Sequence, residues 1–415
     1  RTFGHKITTT SFSSKASSMS PSCTKPSEDE TSRHVARAGQ DSLSRATTLD
    51  AELNELASLE PATTMPSKEV HNWSLRSTHS NDFFLRESFN ALLTMSAQLP
   101  PEQRLIMYDA CDENEVRQQL GFFRKRIDAR RNTKPKKPEV QLHVCTPFDH
   151  NGFNFSKIKN DRERIMSVQL PAGPYEVLTN KFPLFHKHML LVSKLLVPQQ
   201  MTFNHLSAVS QLLQACSFCA YFNSWCASAS VNHFHCHLID ESPPVADFPL
   251  VSGPIVLGTR CLQPQGFPGF CYVFQAAQLS LVDAVIQAMQ ADNQPHNLMF
   301  TQRHIYVFPK PLERPARSRE LYPETVGGPE LIGSFTVYNR EDYDGISAAS
   351  IDELVRINTA PLPSRLLRRG GGGDGVDDGA VHEAVARTEL SPVRSSQSLD
   401  FFTFNQGDMV TAAAC

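Results

Sequence analysis

The residues with the most chemical potential lie in "VNHFHCHLID", Val231 to Asp240, where His233, His235 and His237 recur at every second position. A strand has period two, so this spacing predicts three imidazoles on one face, with Phe234, Cys236 and Leu238 on the other. The apolar face can join a core. A row of half-polar rings fills a dry interior poorly, so the imidazole face must be hydrogen-bonded or line a cavity. Three chemistries compete for it. The rings could be satisfied core histidines. They could bind zinc, with "CSFC" at Cys216 to Cys219 supplying a C-x-x-C pair. Both thiols fall on an apolar helical stripe, however, which burial explains without a metal, so no metal ligand is expected. In the third chemistry a neutral imidazole attacks phosphorus, held in one tautomer by a hydrogen bond at its other nitrogen, while neighbouring imidazoles steady the phosphate oxygens and the leaving group.

Such a strand has to be positioned by its neighbours. Residues 202 to 219 place Leu206, Val209, Leu212, Leu213, Cys216 and Cys219 at helical spacing, with Ser207, Ser210, Gln211 and Gln214 opposite, which predicts an amphipathic helix. A second helix is expected at Ser280 to Gln290. "HMLLVSK" upstream and "HIYVFPKP" downstream have the density of buried strands, and "NLMFTQRHIYVF" predicts two short strands joined at Thr301 to Arg303. No Gly-rich phosphate loop of the dinucleotide or P-loop type occurs. Helix and strand signals are mixed without a regular βαβ alternation.

With 415 residues the chain can bury a large core, and a net charge of -3 argues against a nucleic-acid coat or a membrane-surface protein. The 10 cysteines form no dense framework, which fits reduced thiols, and no apolar run nears the ~20 residues that span a bilayer. Neither nucleic acid nor membrane is therefore an expected partner. Residues 1 to 26 are rich in Ser and Thr and lack Asp and Glu, the composition of an organelle transit segment or of an ordinary tail. A cytoplasmic location is expected, or an organelle such as a plastid if the segment is a transit peptide. The Gly- and charge-rich stretch after Leu367 predicts a flexible tail.

"HFHCH" resembles the H-x-H-x-H/Q signature of the histidine-triad superfamily of nucleotidyl hydrolases and transferases. Further blocks, "NGFNFSKIKNDRE", "NKFPLFHKHMLLVSKLLVPQQ", "YFNSWCASASVNHFHCHLI", "PHNLMFTQRHIYVFPKP" and "PELIGSFTVYNREDYDGI", occur in the order seen in the GDP-hexose phosphorylases. The resemblance covers roughly residues 100 to 355. It implies an α+β fold, a histidine-triad-like antiparallel sheet packed with helices, in two related halves with disordered tails. The corresponding segments are 1–75 as an N-terminal tail, 76–254 as the catalytic half, 255–362 as the half completing the pocket, and 363–415 as a second tail.

The activity so implied is phosphorolysis of a GDP-hexose, GDP-L-galactose or GDP-D-glucose, to GDP and hexose 1-phosphate, with GDP-hexose and inorganic phosphate as partners and no cofactor. A homodimer fits the same resemblance. His235 would be the nucleophile, His233 would orient the strand and His237 would contact the α-phosphate. Asn223 and Ser224 would face the phosphates, Lys157 and Arg303 would offset their charge, and His188 and Asn297 would lie near the nucleotide. The chain departs from the pattern at His237, where sugar-nucleotide transferases often carry Gln, and at Trp225 and Cys226, where relatives carry small or glycine residues. A dinucleoside polyphosphate phosphorylase or hydrolase, a nucleotide-sugar sensor without turnover and a zinc-dependent interaction module stand as alternatives.

Overall fold

The computed structural model describes residues 70–71, 78–110, 116–130, 142–170 and 173–367. Of the tail segments expected at 1–75 and 363–415, all but residues 70–71 and 363–367 lie outside the described residues. From Thr78 to Leu367 the described residues belong to one compact unit. Along the chain come α1 (Thr78–Ala97), β1 (Val116–Leu120), β2 (Phe123–Ile127), β3 (Arg164–Leu170), β4 (Gly173–Thr179), β5 (Met189–Ser193), α2 (Phe203–Gln214), β6 (Cys219–Asn223) and β7 (His235–Ile239). There follow β8 (Leu250–Val256), β9 (Thr259–Pro264), β10 (Tyr272–Gln275), α3 (Leu279–Ala291), β11 (His296–Phe300), β12 (His304–Pro309), α4 (Ala316–Leu321), α5 (Gly328–Leu331), β13 (Ser334–Val337), α6 (Arg340–Gly345) and α7 (Ala348–Asn358).

The class is α+β. Strands β3 to β12 build one antiparallel sheet in the order β3-β4-β5-β7-β6-β11-β12-β10-β9-β8, so the histidine strand β7 sits well inside it, between β5 and β6. Cross-strand register fixes what shares a face. His237 opposes Leu190 and Tyr221, Val192 opposes His235, and Asn297 opposes Asn223 and Phe308. Alternation then sends Cys236, Leu238, Phe222, Leu298 and Val307 to the far side, where they are buried with Leu85 of α1, Leu206 and Val209 of α2 and Val282 and Ile286 of α3. The near face is covered in two places. Phe155 packs on Leu178, Leu190 and Val192. At the other end, Met299, Tyr306 and Phe308 meet Phe335, Val337, Leu354 and Val355 from a small sheet, in which β2 runs between β13 and β1, and from α7.

The expected helix at 202–219 is shorter. Thr202 caps its start, its side chain accepting from the His205 amide, but the helix ends at Gln214 because α1 captures the next residues. Asn81 Nδ2 donates to the Ala215 carbonyl at 2.8 Å, and the Ser217 amide donates to Asp82 Oδ1 at 2.7 Å. Cys216 therefore enters the helix-side core, while Cys219 begins β6 and packs on the near face instead of sharing a stripe with it. The second helix and the hairpin joined at Thr301 to Arg303 form where the periodicity places them. Among the described residues no helix is long and apolar enough to cross a membrane, and no group of three or more His, Cys, Asp or Glu side chains could hold a metal ion.

Candidate active site

Strand β7 starts at His235, so only His235 and His237 share the regular face; His233 lies in the bend before it. The strand is short at this end for a physical reason. The β6–β7 ladder stops at Tyr221 and His237, and beyond it the side chain of Gln199 takes the place of a strand partner. Its Nε2 donates to the Asn223 carbonyl at 2.9 Å and to the His235 carbonyl at 3.0 Å, and its Oε1 accepts from the His235 amide at 2.8 Å. Gln199 is itself fully buried and tied to Asn232, whose Oδ1 accepts from the Gln199 amide at 2.9 Å. One primary amide thus stands in for a peptide group and holds the two strands apart where His235 projects.

The tautomers follow from backbone partners. His235 Nδ1 lies 2.8 Å from the His233 carbonyl and must donate to it, so the ring's lone pair is at Nε2. His233 accepts at Nδ1 from the Phe155 amide at 3.3 Å and donates from Nε2 to the Leu195 carbonyl at 2.9 Å. Burial lowers its pKa, which keeps this ring neutral. His188 accepts at Nδ1 from the Leu184 amide at 2.9 Å, so its Nε2 carries the proton and donates to His237 Nδ1 at 2.9 Å. His237, accepting there, holds its own proton on Nε2. Its ring is stacked on Tyr221, centroids 4.3 Å apart and planes within 1°, and lies 5.3 Å from the His235 ring. Phe155 covers His235 with an edge contact at 5.0 Å.

Beside this strand lies a cavity of about 780 Å³, within the range of roughly 300–1,000 Å³ usual for small-molecule sites. His188, Tyr221, Asn223 and His237 line it from the sheet, and residues between Lys310 and Tyr338 line it from the facing segments. Asn223 Oδ1 accepts from Asn297 Nδ2 at 2.7 Å and from the Gly328 amide at 3.0 Å, which leaves the Asn223 Nδ2 amide as the donor for this wall. The approach of Gly328 admits no side chain, since a Cβ there would sit 2.5 Å from Asn223 Oδ1 and 2.6 Å from the Tyr221 ring. Cys226, in the loop after Asn223, has φ of 70°, a conformation that glycine adopts without steric cost.

Not every residue expected at the site is there. Ser224 is buried, but its Oγ accepts from the His296 amide at 3.0 Å and donates to the Trp225 carbonyl at 3.2 Å, pinning β6 to β11; it does not line the cavity. Asn297 is fully buried and acts one layer back, holding Asn223. Lys157 is exposed and its Nζ donates to the carbonyls of His150, Asn151 and Gly152 at 2.8 to 3.0 Å, closing its own loop. Arg303 is exposed in the β11–β12 hairpin, next to the Phe300 end of β11, whereas Asn297 and Asn223 stand near the other end. The cations of the cavity wall are Lys310, Arg314 and Arg319. Sequence reasoning missed these three, and it missed Gln199 and Tyr221. The last two lie inside the blocks "LLVPQQ" and "YFNSW", where a polar residue beside Pro198 and an aromatic two residues before Asn223, on the same strand face, were the available signals.

The family model described as "GDPGP1-like, N-terminal domain" matches residues 88–239, which include all three histidines. GDP-D-glucose phosphorylase 1 of Danio rerio is 26% identical over 302 residues, 62% of this chain and 84% of that protein. GDP-L-galactose phosphorylase 2 of Arabidopsis thaliana is 24% identical over 288 residues, 59% of this chain and 67% of that protein. Among solved structures, yeast Ap4A phosphorylase in complex with AMP superposes with a TM-score of 0.49 at 13% identity, over 67% of this chain and 97% of that one.

Proposed function

The chain belongs to the GDP-hexose phosphorylase family, and from that premise we propose that it cleaves a GDP-hexose with inorganic phosphate, by way of a guanylyl group carried on His235. The observation that carries the assignment of His235 is its tautomer: Nδ1–H is held by the His233 carbonyl and the lone pair stands at Nε2, on the strand whose His237 lines the cavity. In the first step Nε2 attacks the α-phosphorus and the bond from that phosphorus to the bridging oxygen breaks. The electron pair leaves on the oxygen, giving hexose 1-phosphate. The ring, now bonded at Nε2 and still protonated at Nδ1, is cationic, and the His233 carbonyl lies on the charge. In the second step an oxygen of hydrogen phosphate attacks the same phosphorus, the N–P bond breaks with its electrons returning to Nε2, and GDP leaves.

His237 contributes an Nε2–H donor to a nonbridging oxygen of the α-phosphate, held in line by His188 and the Tyr221 ring. Asn223 contributes its amide. Residues 76–254 are the half that bears the histidines and 255–362 the half that completes the pocket, a division supported by the cavity wall between Lys310 and Tyr338. The protein as a cytoplasmic enzyme working without cofactor, nucleic acid or membrane belongs to the same proposal.

The test is to add GDP-D-glucose or GDP-L-galactose without phosphate and look for a guanylylated protein that is acid-labile and alkali-stable, then to add phosphate and collect GDP. His235→Ala should give neither species. Turnover near wild type in that variant would refute the nucleophile, and ADP-sugars or diadenosine tetraphosphate turning over faster than GDP-hexoses would refute the substrate.

A further inference from the structure

Lys310 follows the last residue of β12, is 7% exposed and lines the cavity. Its Nζ donates to the carbonyl of Val326. A buried ammonium with one backbone acceptor is incompletely satisfied, since it carries three protons. Burial depresses its pKa to about 8, opposed by the Glu330 carboxyl and assisted to a smaller extent by the Arg314 guanidinium. Arg314 stands in the same wall with its Nη2 on the carbonyls of Tyr322 and Glu324, while its Nε is buried without a partner. The buried Glu330 carboxyl offsets part of this charge without a direct hydrogen bond to Nζ among the described residues. Glu330 Oε1 lies 3.1 Å from the Tyr322 hydroxyl, whose single proton is engaged 2.7 Å from the Thr336 carbonyl. Burial raises the pKa of Glu330, opposed by the Gly327 amide, which donates to Oε2 at 2.8 Å.

The position of Nζ relative to the reacting strand follows from the chain. Val326 precedes Gly328 by two residues, a span of at most ~7 Å, and the Gly328 amide is bonded to Asn223 Oδ1 at 3.0 Å. Lys310, Asn223 and His237 line the same cavity, and the ammonium is therefore tied, through the short segment 326–328, to the wall formed by Asn223. It approaches from the side opposite β7, on the face shared by His237, Tyr221, Asn223, Asn297 and Phe308.

We propose that Lys310, backed by Arg314, forms the subsite for a phosphate monoester or orthophosphate dianion, which is occupied in turn by the departing sugar phosphate and by the inorganic phosphate that resolves the intermediate. The proposal rests on the phosphorolytic reading above. The two anions share a subsite because each forms or breaks a bond to the same phosphorus along the line opposite Nε2. The subsite also favours phosphate over water as the acceptor. Water gains nothing from a buried cation at the β-phosphate position, whereas a dianion gains a charge-assisted hydrogen bond.

The experiment compares wild type with Lys310→Met and Lys310→Arg after confirming that each unfolds cooperatively. Binding of inorganic phosphate and of glucose 1-phosphate is measured by calorimetry, which needs no turnover. Each protein is then loaded with guanosine 5′-phosphorimidazolide, a donor whose leaving group bears no phosphate, and the loaded form is divided between GDP and GMP across a phosphate titration. Lys310→Met should bind both anions about 10- to 100-fold more weakly and lose GDP formation by a similar factor, with loading and GMP release unchanged; Lys310→Arg should recover part of the loss. Unchanged anion binding in Lys310→Met, or loading that falls as far as GDP formation, overturns the subsite. Weakened anion binding in Lys310→Met, in a protein whose wild type makes no GDP, would uphold the subsite and refute the phosphorolytic function instead.

Discussion

Replacing Gln199 by Leu removes the amide that stands between β6 and β7. Three backbone groups then lose a partner in a fully buried place: the His235 amide, the His235 carbonyl and the Asn223 carbonyl. Each unsatisfied buried group costs about 1–3 kcal/mol, and the volume of Leu is close enough to that of Gln to exclude water from the gap. The strands have one way to recover, by closing until Asn223 and His235 pair directly, which would restore part of the loss. The expected net destabilisation is therefore about 3 kcal/mol rather than the full sum. Closing the strands moves His235 with its backbone, and a displacement of about 1 Å costs on the order of 10²-fold in a positioned reaction. The assay pairs urea unfolding with the rate of guanylyl transfer to His235, measured before the midpoint so that only folded protein is counted. Gln211→Leu, on the half-buried side of α2, serves as the control for adding an apolar side chain. A destabilisation below about 1 kcal/mol with an unchanged transfer rate would show that the amide does not hold the strands.

Two further outcomes are expected. Because His237 accepts from His188 at Nδ1 and presents a proton at Nε2, it serves as a donor and not as a base for water; His237→Gln, which also donates, should leave the ratio of GMP to GDP nearly unchanged, whereas His237→Leu should slow loading by about 10- to 100-fold. A large fall of the ratio in the Gln variant, read by chromatography, would show that His237 acts as a base. Burial lowers the pKa of both His205 and His296 to about 4, against about 6.5 in the unfolded chain. Between those values the unfolded chain binds protons that the folded one refuses, so their contribution is fully present above pH 6.5 and is lost as pH falls toward 4. Each group gives a limiting slope of about 1.4 kcal/mol per pH unit in that window. Urea midpoints between pH 6.5 and 5.5 should therefore drop, and His205→Phe, which keeps the stacking on Phe234 at 3.6 Å, should reduce the slope by one proton; an unaltered slope would mean that His205 titrates normally.

The alternation of His235 and His237 with Cys236 and Leu238, the helix over Leu279–Ala291 and the hairpin of β11 and β12 were all legible in the sequence, because periods of 2 and 3.6 are local properties of the chain. Local periodicity also misled where a distant element intervened. The apolar stripe continued past Gln214, but side chains of α1 took the Ala215 carbonyl and the Ser217 amide and ended the helix. It was silent on which end of a strand faces the chemistry. Arg303 adjoins "HIYVF" in the sequence as Lys310 follows it, yet only the pairing of β11 with β6 puts one at the cavity and the other at the far end. Lys157 has a suitable charge, and three carbonyls of its own loop hold it. Gln199, Gly328 and Asn297 act across separations of 24 to 105 residues, Gln199 through three hydrogen bonds to Asn223 and His235 and the other two through one each to Asn223. Such partnerships depend on how the strands and their covering segments are brought together, which residue type and spacing do not encode. The sequence by itself determined that imidazoles would alternate with apolar residues on a buried strand, and it predicted three on one face; the tertiary structure decided that only His235 and His237 share it, which tautomer each one holds and which cations line the cavity beside them.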